Sequence, residues 1–213
     1  MTTVGILGGT GPAGRGVAVR LAAAGHDVVL GSRDAERAAL VASELLAPSI
    51  SGASNDEAAN CEIVVVATPW DSAVATVRAL RDALAGKVVI SMVNALAKEG
   101  REMLPLYPPR GSMAAQIAAT LPSSQVVGAF HHLPASEMEN LESGLAADVV
   151  IFGDDAEART RVESLVNEMP GLRAVIAGTT SLASAVEAFT AVCISINIRH
   201  KAHSYVTLAG LTN

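Results

Sequence analysis

Aromatic residues are scarce in this chain, at 3% of its 213 residues. Proteins that bind single-stranded nucleic acids offer aromatic platforms within a basic groove. Because the chain also carries 15 basic against 21 acidic residues, both features are missing and nucleic-acid binding is not expected. Half of the residues are nevertheless hydrophobic, so the chain can bury an aliphatic core of Ala, Val, Leu and Ile, and disorder is excluded.

Cysteine is equally scarce. Cys61 and Cys193 lie far apart in apolar surroundings, and the sequence has no Cys-x-x-Cys pair and no Cys/His cluster. A disulfide scaffold and a metal site are therefore not expected, and a reducing cytoplasm is the expected location. Two further absences agree: no run of about 20 apolar residues is free of charge, and the N-terminus lacks the pattern of a signal peptide. The sequence thus predicts a cytoplasmic protein without a membrane span.

Short apolar runs alternate with longer helical patterns, which is typical of βαβ units around a parallel sheet. Strands are predicted at residues 4–7, 28–30, 63–67, 88–90, 126–130, 149–152 and 174–176. Helices are predicted at residues 12–24, 34–46 and 71–84, from the turn at 153–155 to residue 169, and at 181–205, with a loop at 98–111. We expect an α/β fold of the Rossmann type. It would be one domain over residues 1–213, with a doubly wound, mostly parallel sheet and a helical C-terminal portion at 181–213.

The strongest local signal is a glycine-rich loop at residues 8–14, called the dinucleotide loop below. It contains the pattern G-x-G-x-x-G as Gly9, Gly11 and Gly14, after a predicted strand and before a predicted helix. Glycine at these places permits a tight turn, close approach of a pyrophosphate to the backbone, and close packing of the helix. The helix N-terminus adds free N–H groups and a partial positive charge, and Pro12 suits its first turn. The loop predicts dinucleotide binding.

The residues after the second predicted strand select the nucleotide. An NAD site places a carboxylate there for the ribose 2′-hydroxyl, whereas this chain has Ser32 and Arg33, with Arg37 one helical turn later. A hydroxyl and two guanidiniums bind a 2′-phosphate through charge-assisted hydrogen bonds. Asp34 is expected to cap the following helix. The predicted dinucleotide is NADP(H); the alternative is that both arginines are solvated surface residues.

With these residues in view, the chain resembles the F420-dependent NADP oxidoreductases, which pass a hydride between NADPH and the deazaflavin coenzyme F420. The resemblance covers nearly the whole chain and rests on residues 8–11 with Gly14 and Gly16, Gly25-His26, Gly31-Ser32-Arg33, Thr68-Pro69-Trp70, residues 127–132, Gly153-Asp154-Asp155, and Glu187, Thr190 and Asn197. The glycine loop alone is shared by many dehydrogenases, whereas the combination is far more specific. Residues 91–96 follow the family only loosely, and residues 136–139 are unusually acidic.

The resemblance implies which residues bind the two cofactors. Those implied to form the NADP(H) site are Gly9, Thr10, Gly11, Pro12, Ala13, Gly14, Ser32, Arg33, Arg37, Thr68, Pro69 and Trp70. Those implied to lie where the nicotinamide meets F420, or near a ring edge, are Leu133, Pro134, Ala135 and Asn197. The C-terminal segment at residues 181–213 would complete the site of the acceptor F420.

No catalytic residue is assigned from the sequence. Hydride transfer between two cofactors asks the protein mainly to position two rings. In agreement with this, neither tyrosine is followed by lysine four residues later, and no lysine lies between residues 98 and 201. His131 and His132 are the candidates for proton handling, since imidazole titrates near neutral pH. The alternative is a structural role for both.

Two other functions stay open at this point. One is an NADPH-dependent imine or carbonyl reductase on the same nucleotide domain, which usually has a longer helical second domain and a dedicated proton donor. The other is a non-catalytic module that senses NADP. Whichever function applies, the predicted helix over residues 183–198 is too apolar to be exposed to solvent. Packing on the sheet or on a second copy is expected, and a homodimer is the usual outcome.

Overall fold

The structure, a computed structural model, describes residues 1–211 of the chain. Strands and helices alternate along most of it. The strands are β1 (Thr3–Leu7), β2 (Asp27–Ser32), β3 (Ile50–Ser54), β4 (Ile63–Val66), β5 (Val88–Ser91), β6 (Leu96–Glu99), β7 (Glu102–Pro105), β8 (Gln125–Gly128), β9 (Ala147–Gly153) and β10 (Leu172–Gly178). The helices are α1 (Pro12–Ala23), α2 (Ala35–Glu44), α3 (Asn55–Ala58), α4 (Trp70–Ala79), α5 (Arg81–Leu84), α6 (Met113–Thr120), α7 (Ala135–Glu139), α8 (Ala156–Glu168) and α9 (Ala183–His200).

Within the described residues, eight strands form one sheet in the order β10-β9-β8-β5-β4-β1-β2-β3, and β6 and β7 pair as a separate hairpin. Neighbouring strands from β3 to β8 are parallel, whereas β9 runs antiparallel to β8 and parallel to β10. The strand order reverses at β1, which has β2 on one side and β4 on the other. Doubly wound sheets bind ligands at such a switch point, beyond the carboxyl ends of the strands. The predicted Rossmann-type fold is confirmed.

The central strands are buried on both faces of the sheet. All four residues of β4 are buried, and its apolar run is continuous rather than alternating, as expected for a parallel strand covered by helices on both sides. Ile63 and Val65 pack into the core that α1 and α8 cover, whereas Val64 and Val66 pack into the core that α4 and α6 cover. These two aliphatic cores fix the ends of β1 and β4 side by side, where the dinucleotide loop and Thr68 begin.

Several segments differ from the prediction. The stretch 98–111 is not a loop throughout, because β6 and β7 form a hairpin that reaches into it. The predicted helix at 71–84 is divided into α4 and α5. The edge strand β3 was missed because its sequence, Ile-Ser-Gly-Ala-Ser, has no apolar run. Its Gly52 is required by packing, since a Cβ there would overlap the backbone carbonyl of Ala38.

The C-terminal helix is shorter than predicted. It ends at His200, where Lys201 adopts a left-handed conformation with φ of 51°, and residues 202–211, called the tail, contain no helix. Residues 212–213 of the predicted C-terminal portion lie outside the described residues. The N–H of Asp148 donates to the carbonyl of Val206 at 2.9 Å. Because β9 is antiparallel to β8, Asp148 near the start of β9 lies beyond the carboxyl end of β8. The tail therefore returns to the side of the sheet formed by the carboxyl ends of the parallel strands, where such sheets bind ligands.

The last helix is unusually apolar. Of the described helices, the stretch Thr180–His200 alone is long and apolar enough to cross a membrane, judged by length and composition, with a mean hydropathy of 1.6. One side of α9 faces the protein through the buried Glu187 and Thr190. The other side leaves Phe189, Val192 and Ile196 between 44% and 48% exposed.

Candidate active site

A cleft of about 930 Å³ opens at the carboxyl ends of β1, β2 and β4. It lies at the switch point of the sheet, between the dinucleotide loop on one side and α4 on the other. The predicted binding residues that line it are Thr10, Gly11, Pro12, Ala13, Ser32, Arg33, Arg37, Thr68 and Pro69. The structure therefore brings three separate sequence motifs together around one cavity.

Two glycines of the dinucleotide loop support the loop and do not line the cleft. The N–H of Gly9 donates to the carbonyls of Ile6 at 3.1 Å and Gly31 at 2.9 Å, which ties the loop to β1 and β2. A Cβ at Gly14 would lie 2.7 Å from the Cα of Gly9. Both residues must be glycine because of packing within the protein, and they act on a ligand only through the position of the loop.

Gly11 differs from them because it faces open space. It is the N-cap of α1, and a Cβ there would meet only the carbonyl oxygen of Gly8, at 3.7 Å. The first turn of α1 has no acidic side chain and no side-chain cap. Its N–H groups, in a helix wholly within the described residues, are therefore free to bind an anion with the help of the helix dipole.

The residues after β2 offer positive charge. Arg33 and Arg37 are exposed at the cleft, and neither guanidinium forms an ion pair with a carboxylate of residues 1–211. Asp34 caps α2, as predicted, since its Oδ1 accepts the N–H of Arg37 at 3.0 Å. Its negative charge is thus directed at the backbone, and the two arginines are left free for a phosphate group.

The far wall of the cleft begins with Thr68. Its Oγ1 is buried and has no hydrogen-bond partner among the described residues. A buried hydroxyl without a partner costs free energy unless a ligand or solvent satisfies it. This orphaned hydroxyl, the uncapped N-terminus of α1 and the two free guanidiniums fit a phosphorylated dinucleotide.

Several cleft residues were not indicated by the sequence patterns. The segment Ser54, Asn55 and Asp56 lines the cleft beside the arginines, and α4 contributes Ser72, Ala75, Thr76 and Ala79. Ser54 and Glu57 form a capping box at the start of α3. The spacing S-x-x-E is a recognisable signal for a helix start, and it identifies the turn although not its place in the cleft.

Five predicted binding residues outside the dinucleotide loop do not line this cleft. Trp70 begins α4 and is 39% exposed. Leu133 packs against the core, and Pro134 precedes α7, which begins at Ala135 and packs on α1. The Oδ1 atom of Asn197 accepts two hydrogen bonds from Ser204, from its N–H at 2.8 Å and from its hydroxyl at 2.6 Å. The carboxamide of Asn197 therefore holds the tail to α9.

The two adjacent histidines follow β8, after Phe130 in a left-handed conformation with φ of 66°. Burial, and secondarily the charge of His132, lowers the pKa of His131 to about 3. Both ring nitrogens of His131 lack a partner among the described residues. The Nε2 atom of His132 donates to the carbonyl of Val186 at 2.7 Å, and burial lowers the pKa of His132 as well. Both imidazoles are therefore neutral near pH 7, which disfavours them as cationic proton donors.

A buried carboxyl group, that of Glu187, joins α9 to α6 near these histidines. The Oε2 and Oε1 atoms of Glu187 accept the N–H groups of Met113 at 2.7 Å and Ala114 at 2.9 Å, at the N-terminus of α6. Burial raises the pKa of Glu187 to about 7, although these two hydrogen bonds act in the opposite direction. One helical turn later, Thr190 donates to Asn94 Oδ1 at 3.0 Å. These contacts fix α9 against α6 and against the segment that follows β5.

The sheet topology, the glycine loop at the switch point and the cleft with its free helix N-terminus and guanidiniums are typical of Rossmann-type, NADP-dependent oxidoreductases. The family model for NADP oxidoreductases dependent on coenzyme F420 matches residues 3–95. The F420-dependent NADP reductase of Methanocaldococcus jannaschii is 34% identical over 209 residues, which cover 93% of each chain. The chain belongs to the F420-dependent NADP oxidoreductase family.

Solved structures agree with this assignment. A crystal structure from Arthrobacter sp. FB24, of a protein described as a candidate F420-dependent NADP-reductase, superposes with a TM-score of 0.84 at 26% identity over 96% of this chain and 97% of that one. An imine reductase from Bacillus cereus superposes with a TM-score of 0.65 at 17% identity, over 92% of this chain and only 60% of that one. The second likeness shows a shared fold alone.

Proposed function

We propose that this protein transfers a hydride between NADPH and coenzyme F420. The observation that carries the proposal is the cleft at the switch point, where an uncapped helix N-terminus and two guanidiniums without an ion pair in residues 1–211 come together in a chain of this family. The first would hold the pyrophosphate and the second the 2′-phosphate. In the forward direction NADPH, F420 and a solvent proton give NADP⁺ and reduced F420.

The protein's part in this reaction is to bind and orient. The nicotinamide and deazaflavin rings supply the redox chemistry, so no protein nucleophile is required. Thr10, Gly11 and Ala13 line the cleft where the diphosphate would approach the backbone. His131 and His132 are neutral and buried, and they shape the end of β8 without supplying a charge. Holding both rings in contact converts a bimolecular step into an effectively intramolecular one.

We infer that F420 binds against residues 131–135, with the C-terminal segment completing its site within a single domain. The contacts that support this inference join α9 and the tail to that wall. The hydroxyl of Thr190, which donates to Asn94, also lies 3.2 Å from the carbonyl of His131, and His203 Nδ1 lies 3.1 Å from the hydroxyl of Ser136. Leu133, Pro134 and Ala135 would then face the deazaflavin, with Asn197 acting through the tail.

We also propose a soluble, cytoplasmic homodimer that binds neither nucleic acid nor membrane. The exposed apolar side of α9, formed by Phe189, Val192 and Ile196, is the surface that a second copy would cover. Light scattering after size exclusion tests this. A mass of two chains that falls to one in Phe189→Glu supports the dimer, whereas a monomeric wild type, or partition into membranes, contradicts it.

The function is tested by mixing purified protein with NADPH and F420 and following the loss of the absorbance of oxidised F420. Turnover with NADPH and far slower turnover with NADH are expected. Tight NADPH binding with no turnover of any deazaflavin or flavin would favour the sensor. Oxidation of NADPH by cyclic imines or carbonyl compounds but not by F420 would favour the alternative reductase.

A further inference from the structure

A buried arginine joins the dinucleotide-binding helix to the segment that follows the proposed acceptor wall. Arg20 lies on α1 and is 2% exposed. Its Nη1 donates to the carbonyl of Pro170 at 2.6 Å, and its Nη2 donates to the carbonyls of Glu137 at 2.6 Å and Asn140 at 3.1 Å. Burial lowers the pKa of Arg20, and its Nε has no partner among the described residues.

Burying the charged guanidinium of Arg20 costs more free energy than burying an apolar side chain of the same size. Removing an ion from water costs several kcal/mol unless hydrogen bonds and opposite charges compensate. Arg20 forms no ion pair at contact distance within residues 1–211, so three backbone carbonyls and the more distant charge of Glu137 provide the compensation. Two of these carbonyls belong to residues 135–140, called the latch segment below, which comprises α7 and the residue after it.

Two other residues of α1 hold the same segment. The Nη2 atom of Arg15 lies 2.6 Å from Oε1 of Glu139, while its Nη1 lies 3.6 Å from Glu44. At Gly16 the backbones approach so closely that a Cβ would lie 2.6 Å from the Cβ of Met138. One face of α1 therefore binds the latch segment through a buried arginine, a partly exposed ion pair and direct backbone packing.

The latch segment is continuous with residues 131–135. A Cβ at Gly16 would also lie 3.2 Å from the carbonyl oxygen of Ala135, and Gly16 is about one helical turn from Pro12, which lines the cleft. The helix that presents its N-terminus to the dinucleotide is thus the helix that holds the end of the proposed acceptor wall. The distance between the dinucleotide cleft and the proposed wall for F420 is therefore set by a single helix, α1.

We propose that Arg20 is a positioning residue for the reaction: by tying the latch segment to α1, it fixes the wall for F420 relative to the bound dinucleotide. This rests on the proposed function, because it assigns residues 131–135 to the acceptor. Hydride transfer needs the reacting atoms about 3–3.5 Å apart, so a displacement of about 1 Å costs on the order of a hundredfold in rate. Loss of the latch should therefore affect the acceptor step and leave dinucleotide binding intact.

The test compares Arg20→Lys with Arg15→Gln, which removes the partly exposed tether and preserves the core. Arg161→Gln, an exposed arginine of α8, is the matched control. In Arg20→Lys the KM for F420 should rise, or kcat fall, by about tenfold, while the Kd for NADPH changes by less than about twofold. A smaller effect in the same direction is expected for Arg15→Gln, and none for Arg161→Gln. If Arg20→Lys does not fold, the comparison of Arg15→Gln with its control decides.

Hydrogen–deuterium exchange supplies a readout that does not depend on F420. The amides of the latch segment should exchange faster in Arg20→Lys, whereas those of the dinucleotide loop should not change. Unchanged exchange, or faster exchange with unchanged F420 kinetics, would overturn the proposal. An equal loss of NADPH and F420 binding would also overturn it, since that indicates general loosening. A wild type that never reduces F420 would instead refute the proposed function, and the exchange data would still decide whether the latch exists.

Discussion

The Oδ1 atom of Asn55 accepts the backbone N–H of Gly8 at 3.1 Å. The same oxygen would lie 2.8 Å from a Cβ at Gly31. The side chain of Asn55, at the start of α3, therefore lies between the carboxyl ends of β1 and β2. Since the dinucleotide loop begins at Gly8, whose φ is +70°, Asn55 fixes the conformation from which the loop departs.

This contact makes Asn55→Asp a selective probe of the cleft. The carboxylate still accepts the N–H of Gly8, but it adds a negative charge where the phosphates of NADPH would bind. At an effective dielectric constant of about 20, such repulsion weakens binding by about tenfold or more. The Kd for NADPH should rise while the thermal midpoint changes little. Asp56→Asn, which removes a negative charge beside Asn55, is the matched control and should tighten NADPH binding. Equal affinities of the two variants for NADPH would contradict the placement of its phosphates beside Asn55.

The two free arginines predict nucleotide selectivity. A hydrogen bond to a charged group contributes about 1.5–3 kcal/mol, so replacing Arg33 or Arg37 with Ala should weaken NADPH binding by about 10- to 100-fold. NADH lacks the 2′-phosphate, and its affinity should stay nearly constant. Calorimetric titration of both nucleotides measures the difference. Equal losses for NADPH and NADH would show that the arginines do not bind the 2′-phosphate.

Two glycines of the dinucleotide loop should separate binding from stability. Gly14→Ala places a Cβ against the backbone of Gly9 and should lower the free energy of unfolding by about 2 kcal/mol. Gly11→Ala meets no close neighbour and should cost less than about 1 kcal/mol. Its methyl group nevertheless enters the cleft and should weaken NADPH binding by about tenfold. Urea denaturation and titration measure both, and a reversed order of effects would refute this assignment.

Glu187 predicts a pH dependence of stability. Its pKa is about 7 in the folded protein and ordinarily near 4.5, so between these values the folded state binds more protons than the unfolded state. The contribution of Glu187 to stability therefore falls as pH rises through this window, by about 3 kcal/mol in all. Glu187→Gln should lack this contribution. The stability of wild type relative to the variant should decrease from pH 4.5 to 7, and a constant difference would contradict the raised pKa.

The sequence predicted the features that local patterns encode. The dinucleotide loop, the arginines after β2 and the cap at Asp34 all lie within short motifs, and the fold and the cap are confirmed. The roles of Asn55 and Arg20 were not predictable, because their partners lie 47 and 117 residues away in the chain. The burial of His131 was not predictable for the same reason, since its ring packs on Phe152 of β9. The binding roles of the site residues stay predictions.

The most direct test of hydride transfer uses NADPH that carries deuterium at both hydrogen positions of C4 of the nicotinamide ring, with F420 in ordinary water. If the protein holds the two rings in contact, reduced F420 should carry one deuterium at C5 of the deazaflavin, detected by mass spectrometry. Reduced F420 without deuterium, or no reduction at all when NADPH is bound, would contradict the account.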